Sequence, residues 1–312
     1  MRAVVTGGAG FIGSALVRKL LDSGCEVTVM DNLGSGNLGN LAPLRERIGF
    51  HDLDVRLKSR LAPLLKGADV VFHLAGISSV PASISNPRET FDVNLSGSLN
   101  VLEAALANNV RKVVFASSAA IYGIAEPPLR EEMGPDCRSP YAVSKLAVES
   151  LMSMYAKEHA MGTVSLRLFN VYGPRQNPES SYAVVPRFLK AALTNRTVAI
   201  QGDGDQTRDF VYVEDVTEAM LAAAKAQTAG EVLNIGTGHS VTINELAKKI
   251  LDLTGSRSEI THGPEREGDV RYSCADVSLA RKLLGWKPEW DISRGLEATV
   301  KFSKASQRDA SE

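Results

Sequence analysis

Short runs of apolar, mostly β-branched residues recur along the chain at 3–6 (AVVT), 27–30 (VTVM), 69–74 (DVVFHL), 112–116 (KVVFA) and 164–168 (VSLRL). Apolar residues fill successive positions instead of alternate ones, which is the pattern of strands covered on both faces. Longer segments with helical spacing lie between them. One is 11–23; another is 88–108, where Leu95, Leu99, Leu102 and Leu106 fall on one stripe. Strand and helix in alternation predict right-handed βαβ units, so the expected fold class is α/β with a doubly wound parallel sheet.

The alternation weakens after residue 170, where Asn, Gly, Pro and Arg become frequent (FNVYGPRQNPESS). Such sequence predicts long loops and a ligand-facing region. Two later segments, 209–225 and 231–236, again look like a helix and a strand that rejoin the sheet. The expected division is therefore 1–170 with 209–236 as the first domain, and 171–208 with 237–304 as a smaller, discontinuous C-terminal α/β domain. The polar residues 305–312 are expected to form a flexible tail. A chain of 312 residues with 44% apolar content has enough material for both.

Charge narrows the partners. The 35 basic and 36 acidic residues nearly cancel, so no global field draws the chain to nucleic acid or an anionic membrane, and an anionic ligand must be held by local groups. Cys25, Cys137 and Cys274 are odd in number and widely spaced, without CxxC pairs or a nearby His cluster. That disfavours a disulfide framework or a metal site and predicts a reducing cytosol. MRAVVTGGAGFIG enters a glycine turn after too few apolar residues for a signal sequence, and no long apolar run predicts a membrane span.

The first chemical signal is TGGAGFIG at 6–13, which follows a strand and opens an amphipathic helix. Gly7, Gly10 and Gly13 let backbone N–H groups approach a pyrophosphate, and the helix N-terminus adds partial positive charge. Their G-x-x-G-x-x-G spacing differs by one residue from the Rossmann dehydrogenase fingerprint. Asp31 closes the second strand, where an acidic residue meets ribose hydroxyls and repels a ribose phosphate; NAD is thus expected over NADP. The alternative for Asp31 is a solvated loop acid. Asp54 and Val55, after the third strand, are positioned for the adenine.

The second signal is YAVSK at 141–145. Ser139 and Pro140 before it form an N-cap and first-turn proline, so Tyr141 and Lys145 share one helix face. A neighbouring cation favours phenolate, and Lys145 is expected to lower the phenol's pKa into a range useful for acid–base work. SSAAIYG at 117–123 follows a strand end, where ligands bind in such sheets. Ser118 is placed there to bond the same substrate hydroxyl as Tyr141, or else to act as a helix cap or turn serine.

With these motifs in hand, the chain resembles the extended short-chain dehydrogenase/reductases, and within them the UDP-sugar 4-epimerases. TGGAGFIG, DNLGSG, HLAG at 73–76, NLSG at 94–97, SSAAIYG, YAVSK, RLFNVYGPRQ at 167–176, GDGDQTRDFVYVEDV at 202–216 and REGDV at 266–270 carry the resemblance across residues 1–302. It implies NAD held by Gly7, Gly10, Phe11, Ile12, Gly13, Asp31, Asn32, Ser35, Gly36, Asp54, Val55, Leu74, Ala75, Gly76, Asn94, Tyr141 and Lys145. It implies a UDP-sugar held by Ser79, Val80, Ser118, Tyr141, Asn170, Val184, Arg208, Arg266 and Ser273. Asn170, Arg208 and Arg266 would meet the diphosphate, for which the planar arginine fork is suited. A homodimer is implied too, with helices around 88–108 and 141–158 pairing across a two-fold, although the leucine stripe could equally pack within its own domain.

Related dehydratases and decarboxylases carry an acid in the serine segment, where this chain has Ala119 and Ala120. The expected reaction is therefore plain C4 epimerisation through a 4-keto sugar. Ser273 stands where resembling epimerases carry either a bulky aromatic or a small residue beside the sugar C2 substituent, and the segment 175–188 looks like the branch that accepts N-acetylhexosamines. UDP-GlcNAc/UDP-GalNAc are expected substrates alongside UDP-Glc/UDP-Gal. The rivals are a UDP-glucuronate 4-epimerase and a catalytically silent NAD-binding partner protein.

Overall fold

The computed structural model describes residues 1–177, 183–265 and 268–309. Its strands are β1 (Arg2–Thr6), β2 (Glu26–Asp31), β3 (Ile48–Asp52), β4 (Val70–His73), β5 (Lys112–Ser118), β6 (Gly162–Leu168), β7 (Asn170–Tyr172), β8 (Val198–Gln201), β9 (Thr207–Tyr212), β10 (Glu231–Ile235), β11 (Ser240–Thr242) and β12 (Ile260–Gly263). The helices are α1 (Phe11–Asp22), α2 (Lys58–Leu61), α3 (Val80–Ser85), α4 (Pro87–Phe91), α5 (Gly97–Ala107), α6 (Pro140–His159), α7 (Val184–Leu193), α8 (Val213–Lys225), α9 (Ile243–Thr254), α10 (Ser278–Leu284) and α11 (Ile292–Asp309). None of them is long and apolar enough to cross a membrane.

The main sheet has seven strands in the order β10-β6-β5-β4-β1-β2-β3, all pairs parallel. Every apolar run named from sequence lies in it, as the doubly wound class requires. One buried cluster covers the face under α1 and α8, with Leu16, Leu20, Val216 and Met220. A second covers the face under α5 and α6, with Val101, Leu102, Val148 and Met152. The strand order reverses between β1 and β4, so the crevice beyond Thr6 and His73 is the switch point at which such sheets bind ligands.

The later residues build two small sheets, β11-β9-β7 and β12-β8. Their core joins Phe188 and Leu189 of α7, Leu246 and Ile250 of α9, and Leu296 and Val300 of α11. Three expectations change here. Residues 209–212 belong to β9 and not to a helix; α8 starts only at Val213, because Phe210 to Tyr212 pair with β7 and are buried in this second layer. The 88–108 helix is broken by a π turn at Asp92–Ser96. Asn94 is buried in that wider turn, and the stripe splits, with Leu102 in the core and Leu99 exposed. Finally, α11 runs on to Asp309, so the segment expected to fray after Lys304 is helical that far.

Candidate active site

At the switch point the chain turns sharply. Gly7 adopts φ +71°, and a Cβ there would lie 2.7 Å from the Ala75 nitrogen; at Gly13 it would lie 2.1 Å from the Gly7 carbonyl oxygen. Only glycine lets the turn and the HLAG segment approach this closely. Gly10 caps α1 without any side-chain acceptor, leaving the N–H groups of the first turn, including Phe11 and Ile12, directed out of the helix end. This is a cradle for an anionic group such as a pyrophosphate.

Asp31 is buried, not a solvated loop acid. One carboxylate oxygen accepts the Ala9 N–H at 2.9 Å and the other the Leu33 N–H at 2.8 Å. Gly36 passes so close that a Cβ would meet Asp31 Oδ1 at 2.7 Å. Asn32 and Ser35 are exposed on the same loop. Asn32 donates to Asp54, and Arg56 forks onto that carboxylate at 2.6–3.1 Å. The Arg56 guanidinium holds the Asp54 carboxyl down to about 2. Val55 is buried against Gly97.

Leu74, Ala75 and Gly76 leave β4 beside the glycine turn, with Ala75 N–H donating to Thr6 Oγ1 at 3.2 Å. Asn94 braces the next residue, accepting the Ile77 N–H at 2.7 Å and donating to the Ile77 carbonyl and Ser144. Its carboxamide is thereby committed to positioning the 76–78 segment. His73, hydrogen-bonded to Thr6 and Ser98 at 2.7 Å, is pushed by burial down to about 3 and stays neutral.

The reacting set comes from α6 and the end of β5. Ser139 accepts the Ala142 N–H at 3.1 Å and Pro140 follows in the first turn, as the sequence predicts. Lys145, 6% exposed, donates to the Ala116 carbonyl at 2.8 Å and sits 5.8 Å from the Tyr141 ring centre. Ser118 does cap the following 3-10 turn, accepting the Ala120 N–H at 3.1 Å, yet it lines the same cavity as Tyr141. Burial pushes the Lys145 ammonium down to about 8, opposed by the Glu149 carboxylate. Burial also pushes the Tyr141 phenol up, with the Ser118 hydroxyl acting the other way. That direction is opposite to the one expected from Lys145 with bound NAD+, and its cause is the loss of hydration of the enclosed phenol.

Tyr141 and Ser118 open onto a cavity of about 540 Å³ between the main sheet and the second layer. Ser79, Val80, Asn170, Val184, Arg208 and Ser273 line it as well, whereas Arg266 and part of the 175–188 segment lie outside the described residues. Arg208 donates to Asp269 at 2.6 Å and to the Thr207 carbonyl at 2.8 Å. Asp269 is the one carboxylate on the wall among the described residues; Ala119 and Ala120 flank Ser118. Sequence reasoning missed Gln206, though GDGDQ contains it. Gln206 lines the cavity; its Nε2 donates to the Gln201 carbonyl at 2.7 Å, and its buried Oε1 has no partner among the described residues. It also missed Glu149, which the helical period 141, 145, 149 points to.

Residues 3–236 match the model of the NAD dependent epimerase/dehydratase family. The chain is 36% identical to UDP-glucose 4-epimerase from Thermotoga maritima, solved with UDP-glucose, over 98% of this chain and 100% of that one, with a TM-score of 0.94. It is 38% identical to UDP-N-acetylglucosamine 4-epimerase from Methanobrevibacter ruminantium M1, solved with UDP-N-acetylmuramic acid, over 98% of each chain, also with a TM-score of 0.94. It is 36% identical to UDP-glucose 4-epimerase from Thermus thermophilus, solved with NAD, over 98% of this chain and 100% of that one, with a TM-score of 0.91. Together with the glycine cradle and the Ser118, Tyr141 and Lys145 set, these matches make the chain a member of the NAD dependent epimerase/dehydratase family, with NAD as its cofactor.

Proposed function

We propose that this chain is a UDP-sugar 4-epimerase that turns over UDP-GlcNAc/UDP-GalNAc as well as UDP-Glc/UDP-Gal. The observation that carries this reading is the wall around Tyr141: a serine beside the phenol, a buried ammonium behind it, and alanines at 119 and 120 where an acid for elimination would stand. The glycine cradle, Asp31 and Lys145 would hold NAD. When bound, it supplies the reversible hydride acceptor that oxidation at the sugar C4 requires.

The chain's own part is proton handling and orientation. Ser118 holds the C4 hydroxyl, and Tyr141 takes its proton as C4 becomes a ketone. The buried ammonium of Lys145 stabilises the phenolate that forms. The 4-keto sugar then turns over in the cavity while Arg208 and Asn170 keep the diphosphate in place, and Tyr141 returns the proton to the alcohol of opposite configuration. Water elimination is not served, because alanines and not a carboxylate adjoin Ser118.

Ser273 is small and partly faces the cavity, which supports room for an N-acetyl group at C2. Exposed Ile84, Leu99 and Met154 on α3, α5 and α6 support a homodimer built on those helices. In this reading residues 1–170 and the returning α8–β10 segment form the cofactor domain, and the second layer binds the UDP-sugar. Purified protein given UDP-Glc, UDP-GlcNAc or UDP-GlcA without added reductant is expected to equilibrate the C4 epimers of the first two. Accumulation of a 4-keto-6-deoxy sugar would overturn the reading.

A further inference from the structure

Three α6 residues one helical turn apart, Tyr141, Lys145 and Glu149, meet three consecutive residues at the end of β5. Lys145 Nζ donates to the Ala116 carbonyl at 2.8 Å, Ser117 Oγ donates to Glu149 Oε1 at 2.6 Å, and Ser118 lines the same cavity as Tyr141. Glu149 is 4% exposed and accepts a fork from Arg167, Nη2 to Oε2 at 2.8 Å and Nε to Oε1 at 3.0 Å. Arg167 stands on β6 at the position paired with Ser117, and its guanidinium lies 4.7 Å from the centre of the Tyr122 ring, just beyond Ser118. Tyr122 in turn donates to Asn234 of β10 at 2.7 Å.

We propose that Glu149, with Arg167 as its counter-ion, is a positioning residue that fixes the strand end carrying Ser118 and supplies the anion that keeps Lys145 protonated. This rests on reading Ser118, Tyr141 and Lys145 as the reacting set.

A core ion pair needs added hydrogen bonds as well as its two members, and where it serves stability alone apolar residues of similar volume can replace the whole set. Here the carboxylate has a third partner, Ser117, next to the reacting serine, and stands one turn from the ammonium. The groups facing Lys145 allow no substitute for it. His73 from β4 is neutral, β5 presents the Ala116 carbonyl and the Phe115 ring at 4.7 Å, and Tyr141 is a neutral phenol. Arg167 is the nearby cation from β6, and Glu149 neutralises it. Burial pushes Lys145 down and Glu149 opposes it. Removing the anion therefore lets the ammonium lose its proton at lower pH.

The test follows the Lys145 side chain by carbon NMR in the full chain with labelled lysine, its resonance assigned by Lys145→Met. In Glu149→Gln the titration midpoint is expected to fall by about one pH unit. Glu149→Asp keeps the charge but shortens the reach to Ser117; its midpoint stays near that of the unaltered chain while kcat drops and KM holds. Should Glu149→Gln fail to fold with Arg167 unpaired, Glu149→Gln combined with Arg167→Met removes both charges, and a smaller fall is expected because the Arg167 cation leaves with the anion. An unchanged midpoint in the folded variant overturns the proposal. The readout needs no turnover, so a chain that does not epimerise would sink the functional reading and leave this result standing.

Discussion

Asp31 accepts the Ala9 N–H at 2.9 Å, which ties the acid at the end of β2 into the glycine turn that opens α1. The same carboxylate shapes the turn and sets the charge where an adenosine ribose would lie. Replacing it with alanine leaves the Ala9 and Leu33 N–H groups without their acceptor and is expected to cost about 1–3 kcal/mol of stability. NAD affinity should fall with it, and the preference over NADP should shrink. Thermal unfolding alongside calorimetric titration with both cofactors checks this; unchanged discrimination would show that Asp31 is structural only.

Lys145 sets a pH limit. In the proposed reading its ammonium would stabilise the phenolate of Tyr141 only while protonated, and burial pushes it down to about 8. Turnover is therefore expected to decline as pH rises through that value, and Lys145→Met should lower kcat by roughly 10²-fold or more across the range. A pH–rate profile flat across alkaline pH would contradict the role.

Gln206 offers an acceptor that no protein group uses. It lines the cavity with Arg208, which in the proposed reading holds the diphosphate, so a small turn of its side chain would bring the buried Oε1 to the N–H of a nucleoside base beyond that diphosphate. Gln206→Leu is expected to raise KM roughly tenfold with kcat nearly constant, because a bond made equally in ground and transition states is lost. Steady-state kinetics decide it: a fall in kcat at constant KM would place Gln206 in the chemistry instead.

Ser273 separates the sugars. A tyrosine at this position would fill the space beside the C2 substituent, so Ser273→Tyr is expected to abolish turnover of the N-acetylated sugars and spare the plain hexoses. Equal loss of both, measured by competing the two in one assay, would count against the assignment.

Much of this architecture is legible in the sequence because its signals are local. The strands of the main sheet are covered on both faces and read as unbroken apolar runs; the Ser139–Pro140 start of α6 is a capping signal within three residues. The second layer is harder to read. β7, β9 and β11 are short and pair with partners far along the chain, so Asp209 to Tyr212 look like the opening of a helix. Asn94 sits in a π turn that no heptad pattern announces. Glu149 reads as a solvated helical acid until the fold brings Arg167 and Ser117 beside it. The direction of the Tyr141 pKa is hidden for a related reason: spacing reveals a neighbouring cation, whereas burial of both groups exists only in three dimensions.

The central claim is that one sugar carbon is oxidised and reduced again inside this cavity. Supplying UDP-GlcNAc deuterated at C4 and following the label by mass spectrometry and NMR tests it most directly. The account predicts UDP-GalNAc that keeps deuterium at C4, with none washed out to solvent. Epimer formed with its deuterium lost to solvent would contradict it, as would no epimer at all from protein loaded with NAD.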